Sequence, residues 1–445
     1  MRTESVSPSS NHRSTAATMP RIRRSWSACA LALLMTLGLA ATGFAQARTL
    51  TVLHAFTGGK DGAQPGSLIE DAAGNLYGVT PAGGDLTCNN GIGCGVVFKL
   101  DPTGKETVLY TFAGGADGSG PVGPLLRDAV GSLYGTTTSG GTGLSGTVFR
   151  LNTKGKKTVL YNFLGNAGSE ADGTEPFAGL IRDAAGNLYG TTVHGGIDPL
   201  GICNLDGCGI VFKVDTAGNE TILYRFTGSV DGGASTGGVI RDAAGNLYGT
   251  TQLGGDLTCA GGFGCGVVFK LDTTGQETAL YTFEGGSDGL QPSASLAWGA
   301  AGNLYSTTFQ GGDLSCAAGG GFGCGTVFKV DGTGKETTLH SFAGGKDGAE
   351  PFGGVIVDAA GHVWGTSPSG GASNAGYVFR LDPSGKRTVL HSFTGGADGG
   401  GPVSGVIRDA AGNFYGSTTS GGNPTCLQGN GFGCGTVYKI AAVAP

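Results

Sequence analysis

Seven aspartates recur at equivalent places in this chain, each followed by glycine: Asp61, Asp117, Asp172, Asp231, Asp288, Asp347 and Asp398. Carboxylates repeated in this way could serve Ca²⁺, which gathers about six to eight oxygens from carboxylates and carbonyls. One carboxylate per loop supplies few of them, and Asp-Gly is also a turn sequence in which the aspartate bonds its own backbone. Both readings stand at this stage, and Ca²⁺ is the only cofactor the pattern invites.

Ten of the eleven cysteines fall into five close pairs, Cys88/Cys94, Cys203/Cys208, Cys259/Cys265, Cys316/Cys324 and Cys426/Cys434, all in the loop between the second and third strands of a unit. Two equivalent but shorter stretches, 142–146 and 372–376, lack both members together, as a covalent pair predicts. A metal site needs four ligands, and no histidine stands close enough in the sequence to complete one. Local disulfides are expected, each stiffening its loop by about 2 kcal/mol on the loop-entropy estimate.

Arg127, Arg182, Arg241 and Arg408 share a position that Glu70, Trp298 and Val357 fill in other copies. Four guanidinium groups at one end of a channel could capture an anionic ligand, or could pair with acidic neighbours on the same hairpins. Of the histidines, His54, His340 and His391 stand where other copies have tyrosine and should pack like it, while His194 and His362 sit in turns. His194 is the candidate ligand-binding histidine. No nucleophile, base and orienting group come together in the sequence, so no catalytic residue is assigned.

The elements that must position these groups are set by a repeat. Tyr77, Tyr134, Tyr189, Tyr248, Tyr305, Trp364 and Tyr415 head the same phrase seven times, at spacings of 51 to 59 residues. A period of that size marks a solenoid, propeller or array. Within one copy, 238–242 is a short apolar run, 243–246 a turn, 247–251 a second run, 266–272 a third and 277–283 a fourth. Four short antiparallel strands in such a unit make a propeller blade. The 91 glycines among 445 residues would suggest disorder if scattered, but they occupy fixed places between β-branched and aromatic runs and read as turns.

The order of strands at the two ends is permuted. Residues 49–56 have the sequence of a fourth strand, and 435–440 that of a third. The N-terminal strand is therefore expected to complete the last blade and close a seven-bladed, all-β ring, hiding both edges. The cysteine loops and the Asp-Gly loops both follow even-numbered strands, which places them on one face, with notches where copies two and six have short loops.

The phrase from Ile181 through Asp183-Ala184-Ala185-Gly186-Asn187-Leu188-Tyr189-Gly190 to Thr192, with the later Gly-x-Val-Phe-Lys strand, resembles the GloVer-type tandem repeat of exported bacterial proteins and, more distantly, NHL propeller repeats. The resemblance covers 49–440. It implies an extracytoplasmic protein without assigned chemistry and transfers no catalytic residue. Family members carry varied C-terminal anchors. Here 441–445 holds none of them, which favours a released or periplasmic protein.

Residues 1–47 read as a secretory signal peptide, with Met19 a second candidate start: Arg21, Arg23 and Arg24 precede an apolar run from Ala28 to about Leu39, and Ala45-Gln46-Ala47 closes it. The run is shorter than the roughly 20 residues of a spanning helix. The remainder, 48–445, reads as one domain, with no membrane insertion after cleavage. It carries 22 basic and 32 acidic residues, a net charge near −10, which argues against nucleic acid as a partner. The expectation is a monomeric, non-catalytic binding or scaffold propeller for glycan or envelope protein. The alternative is an extracytoplasmic hydrolase or lyase at the channel mouth.

Overall fold

The computed structural model describes residues 48–165, 172–203, 207–316, 320–426 and 433–442; the expected signal peptide at 1–47 lies outside them. Seven antiparallel sheets follow one another along the chain as the blades of a β-propeller. Blade one pairs Ile69–Glu70, Leu76–Thr80, Val96–Leu100 and Glu106–Thr111 in that order, from the channel outward. Blades two, three, four and six begin at Leu126–Arg127, Ile181–Arg182, Val239–Arg241 and Ile356–Val357. In blade five the inner strand comes in two pieces, Leu290–Pro292 and Ala297–Trp298, both paired with Leu304–Gln310.

Blade seven consists of Ile407–Arg408, Phe414–Thr418, Thr436–Ile440 and, as its outer strand, Leu50–Ala55 from the other end of the chain. Leu50 pairs with Ile440 and Ala55 with Thr436, with a bulge between Val52 and His54. The permuted order of strands is thus resolved as the sequence predicts. Thr436–Ile440, which would otherwise end the sheet, thereby gains a partner on its outer side.

The second and third strands of blade one are buried along almost their whole length, which is why they read as continuous apolar or small runs. The outer strand alternates between half-buried and exposed positions. The second-strand phrase Tyr-Gly-Thr-Thr has a separate physical reason at each residue. A Cβ on Gly78 would lie 2.6 Å from the Phe98 ring, so the third-strand aromatic requires glycine opposite it. The first threonine reaches the next blade: Thr136 donates to the Ala178 carbonyl at 3.0 Å, and Thr366 to that of Ser404 at 2.9 Å. The second caps its own loop, as Thr80 does by donating to the Ala82 carbonyl at 2.9 Å.

The core lies between blades. Each outer-strand phenylalanine meets the third-strand ring of the following blade edge to face: Phe112 with Phe149 at 5.3 Å, Phe283 with Phe328 at 5.1 Å, Phe393 with Tyr438 at 5.0 Å. Phe56 and Phe98 make the same contact at 5.2 Å across the closure. Such pairs contribute roughly 0.5–1.5 kcal/mol each beyond the area they bury.

Candidate functional site

All five cysteine pairs are disulfides: Cys88–Cys94, Cys203–Cys208, Cys259–Cys265, Cys316–Cys324 and Cys426–Cys434, with Cα–Cα distances from 5.1 to 5.8 Å. Each braces the loop between the second and third strands, and the Asp-Gly loop entering the next blade packs onto it. A Cβ on Gly114 would fall 2.7 Å from Cys88 Sγ, and one on Gly344 2.6 Å from Cys316 Sγ. The two loop families therefore share one face.

As the sequence leads one to expect, the cysteines lie in the loops between second and third strands, and the second member of each pair stands at the inner end of its loop. Cys94, Cys208, Cys265, Cys324 and Cys434 are all buried, and each belongs to the packed core between two blades. Cys324 lies in the cluster that holds Phe342 and Tyr377, and Cys434 in the one that holds Phe56 and Phe98. Their backbones are engaged as well: the Cys324 carbonyl accepts from the Glu350 amide and that of Cys434 from the Gln64 amide, both at 2.8 Å. The reason is position, since each stands two residues before the buried third strand and shares its environment. These disulfides therefore rivet a surface loop to the inter-blade core. Asp198 lies close to Cys203 and Cys208, but both sulfurs are committed to their disulfide and are not thiolate ligands.

The seven loop aspartates receive hydrogen bonds from N–H and O–H donors. Asp117 accepts from the Tyr110 hydroxyl at 2.6 Å and the Ala113 amide at 2.9 Å. Asp172 accepts from Tyr161 and the Leu164 and Gly165 amides, Asp231 from Tyr224 and Thr227, and Asp288 from Tyr281 and Glu284. Asp61, Asp347 and Asp398 bond the amides of Thr57, Ala343 and Thr394, and each lies against the histidine that replaces tyrosine, His54 at 3.4 Å, His340 at 3.5 Å and His391 at 3.2 Å. Each carboxylate ties its loop to the outer strand before it. Burial alone would raise the Asp117 pKa, yet Tyr110, Ala113 and Lys157 together hold it below the ordinary carboxylate range.

The four arginines stand on the opposite face, each over an aromatic ring of the preceding blade. Arg127 lies 5.6 Å from the Tyr77 ring, Arg182 5.8 Å from Tyr134, Arg241 5.9 Å from Tyr189 and Arg408 5.2 Å from Trp364. In blade five Trp298 takes the same place against Tyr248, edge to face at 5.1 Å. The tyrosine beneath is anchored to its hairpin: Tyr77 donates to Asp71 at 2.9 Å. Burial works to raise Asp71, but bonds from Asn75, Tyr77 and Ala73 lower its pKa to about 2. In three copies, at Tyr77, Tyr134 and Tyr189, the Tyr-Gly tyrosine is therefore the middle layer of an Asp-Tyr-Arg stack that joins neighbouring blades.

The sequence alone leaves His194 and His362 without partners, and the fold gives each a carboxylate. His362 Nδ1 is 3.0 Å from Asp358, and His194 Nε2 is 3.9 Å from Glu175. Glu175 is non-glycine with φ of 54°, a left-handed conformation shared by Gln64, Gln291 and Glu350 at the same repeat position.

Sequence reasoning misses a further row of acids. Glu106, Glu220, Glu277 and Glu336 open the outer strands of blades one, three, four and five, and burial pushes each pKa up to about 7. The recurrence of glutamate before Thr at that place was visible in the chain. What could not be read is that Asp61, Asp172, Asp231 and Asp288 of the loop entering each blade stand close enough to add to the shift.

Among the concavities that open on or beside the loop face, three bear on the expected site. The short loop of blade six leaves one of about 530 Å³ bordered by Asn374, Gly396 and Pro424. The short loop of blade two leaves another of about 370 Å³ bordered by Leu144, Ser145, Glu175 and His194. These are the two notches expected from loop length. The third, about 200 Å³, lies on the ring axis and takes residues from all seven blades.

The family model described as the Gloeobacter/Verrucomicrobia repeat matches residues 41–204, 169–315 and 314–444. The chain belongs to this family. No match is found among curated proteins. Among solved structures, the extracellular domain of a B. thetaiotaomicron protein described as a one-component system is similar over 88% of this chain and 41% of that one, at 14% identity and TM-score 0.52. A Thermus thermophilus protein described as a glucose dehydrogenase aligns over 88% and 99% at 13% identity and TM-score 0.43. A Streptomyces coelicolor aldose sugar dehydrogenase with bound PQQ aligns over 88% and 98% at 13% identity and TM-score 0.41. At these identities the likeness concerns the fold. Within the Gloeobacter/Verrucomicrobia repeat of this chain, the aspartates, arginines and aromatic pairs described above recur from copy to copy. Residues at the channel mouth and in the loops around the notches are among those that change between copies.

Proposed function

We propose that this protein is an extracytoplasmic, non-catalytic binding propeller whose loop face holds glycan or an envelope protein. The observation that carries this reading is the division of labour within the repeat. Charged groups that recur are occupied in holding loops and blades together, while the loop face exposes Ile92, Leu144, Leu200, Val230, Phe263 and Phe322 on short loops, several of them braced by disulfides. Recognition by loops on a rigid scaffold is a general arrangement. Five disulfides fit an oxidising compartment, and among the described residues no helix is long and apolar enough to cross a membrane.

The test is binding of the purified protein to glycan, cell-wall and envelope-protein panels, with hydrolase and lyase assays run in parallel with and without Ca²⁺ and reductant. Specific retention without turnover is the expected result. Turnover of a substrate with no stable binding would overturn it. A hydrolase or lyase is the second reading, favoured by the His194–Glu175 pair at 3.9 Å in the notch of blade two. Loss of any such turnover in His194→Gln would establish it.

A further inference from the structure

Among the described residues, and apart from Phe263 and Phe322 on exposed loops, three phenylalanines, Phe177, Phe309 and Phe352, are not used in blade packing. Fourteen others are essentially inaccessible and sit in the inter-blade core, whereas these three are half-buried and belong to none of its clusters. Phe177 precedes the inner strand of blade three and Phe352 that of blade six, on opposite sides of a ring of seven. Their ring centroids are nevertheless 6.3 Å apart, edge to face. Phe309, at the end of the second strand of blade five, approaches Phe352 to 6.2 Å. The rings therefore meet across the axis and partly close the channel at the end that carries the disulfide loops.

Neither repeat position is aromatic in the other copies. Gly66, Val122, Thr236, Ser293 and Val403 take the place of Phe177 and Phe352, and Pro81, Thr138, Val193, Gln252, Pro368 and Thr419 that of Phe309. The result is a two-sided mouth. Phenyl rings come from blades three, five and six. On blades four and five Gln252 donates to the Thr236 hydroxyl at 3.1 Å and the Ser293 hydroxyl at 2.9 Å.

No ionisable side chain lines the axial cavity of about 200 Å³. A charged ligand group there would lose hydration without gaining a counter-charge, which excludes anions and cations by cost. The volume falls below the roughly 300–1,000 Å³ of sites for drug-sized ligands, so the occupant is a single ring. The chemistry that matches aromatic faces on one side and hydroxyl and amide groups on the other is a neutral polyol with an apolar C–H face. The Thr236 and Ser293 hydroxyls donate to the Ser293 and Gln291 carbonyls and accept from Gln252, which leaves each oxygen one lone pair for a ligand hydroxyl that an apolar peptide side chain would not use.

We infer that the channel mouth is a binding site for one neutral pyranose unit, packed against the face of one of Phe177 and Phe352 and the edge of the other, with its hydroxyls donating to Thr236 and Ser293. This rests on the binding-module reading above and gives it a location and a ligand class. The experiment is ligand-observed NMR and calorimetry of the intact protein with methyl glycosides of glucose, galactose, mannose and N-acetylglucosamine, and with methyl glucuronide as the charged probe. At least one neutral glycoside should bind, the glucuronide at least about tenfold more weakly. Phe177→Ala and Phe352→Ala should each weaken binding about tenfold, with Val130→Ala, exposed in a hairpin turn on the opposite face, as an unaffected control. Phe177→Leu keeps the apolar volume and removes the ring face, so it preserves the test if alanine disturbs the channel.

Glycan binding unchanged by the Phe177 and Phe352 variants, or preference for the glucuronide, overturns this site while leaving the binding-module reading in place. Capture of an envelope protein or a peptide side chain through the same phenylalanines, with no glycoside bound, also overturns it. Absence of any binding partner together with turnover of a substrate overturns both.

Discussion

Lys157 holds its ammonium 2.9 Å from the Asp117 carboxylate, at the repeat position where blades one, three, four and five carry glutamate. Arg387 does the same in blade six, 2.6 Å from Asp347. The two blades with shortened loops thus have an ion pair where four others have two carboxyl groups facing each other. That difference governs how the ring responds to pH.

The four glutamates titrate near pH 7 because burial, with the neighbouring aspartate, disfavours the charged form; His54 opposes this at Glu106, Arg225 at Glu220 and the Thr338 hydroxyl at Glu336. A carboxyl whose folded pKa exceeds its unfolded value stabilises the fold fully below the unfolded pKa, and that contribution is lost as pH rises through the folded one. Each should contribute on the order of 1 kcal/mol after solvent screening is allowed for. Asp71, lowered to about 2, acts oppositely and loses its contribution as pH falls. Tm is therefore expected to peak at about pH 4, to decline between about pH 4.5 and pH 7 and to level off above, and Glu277→Gln should flatten part of that decline. A Tm that rises steadily across the neutral range would contradict the assignment.

Tyr438 stands where the other six blades place phenylalanine on the third strand, and its buried hydroxyl has no hydrogen-bond partner among the described residues. Burial raises its pKa, consistent with an unsolvated phenol. An unsatisfied buried hydroxyl costs about 1–3 kcal/mol. Tyr438→Phe should raise stability by that amount in urea unfolding, and a loss of stability would show that the hydroxyl has a partner.

The disulfides close small rings on one face; the second cysteine of each lies at the margin of the inter-blade core, and Cys203 and Cys316 are buried beside their partners. Replacing Cys259 and Cys265 together by alanine, which buries no new hydroxyl at Cys265, should cost about 2–3 kcal/mol and leave the circular dichroism of the sheet intact. The expected local change is faster proteolysis within 256–265. Global unfolding on reduction would mean that the loops, rather than the aromatic pairs, hold the ring.

Closure is testable at Phe56, which is 0% exposed and packs on Phe98 across the join between blades seven and one. Phe56→Ala should cost about 3–5 kcal/mol, as for other large-to-small core changes. A milder effect than the equivalent Phe283→Ala would show that the first and last blades are joined more loosely than the rest.

The blade count, the four strands per blade and the closing strand were legible because each depends on residues within one copy or on the order of the chain ends. Gly78 and Thr80 act on near neighbours in sequence, so their repetition announces them. The disulfides were equally local, since Cys88 and Cys94 pair within one loop. The burial of Cys324 and Cys434 was not, because the residues that cover them come from the adjoining blade as well as their own. The role of Arg127 was hidden likewise, its partner being the Tyr77 ring of the blade before it. The glutamate row escaped for the same reason: Glu277 looks like an ordinary strand residue until the fold sets it against Asp231.

By itself the sequence determined the repeat, the ring and the face on which loops of unequal length gather, since turn chemistry and strand alternation act over a few residues. Only the tertiary structure decided what the unequal copies do together. Phe177 and Phe352 lie three blades apart and are unremarkable singly, and it is the curvature of the ring that brings them to 6.3 Å on the axis. Contacts across a closed ring depend on the summed geometry of every blade between them, which no single stretch of residues records.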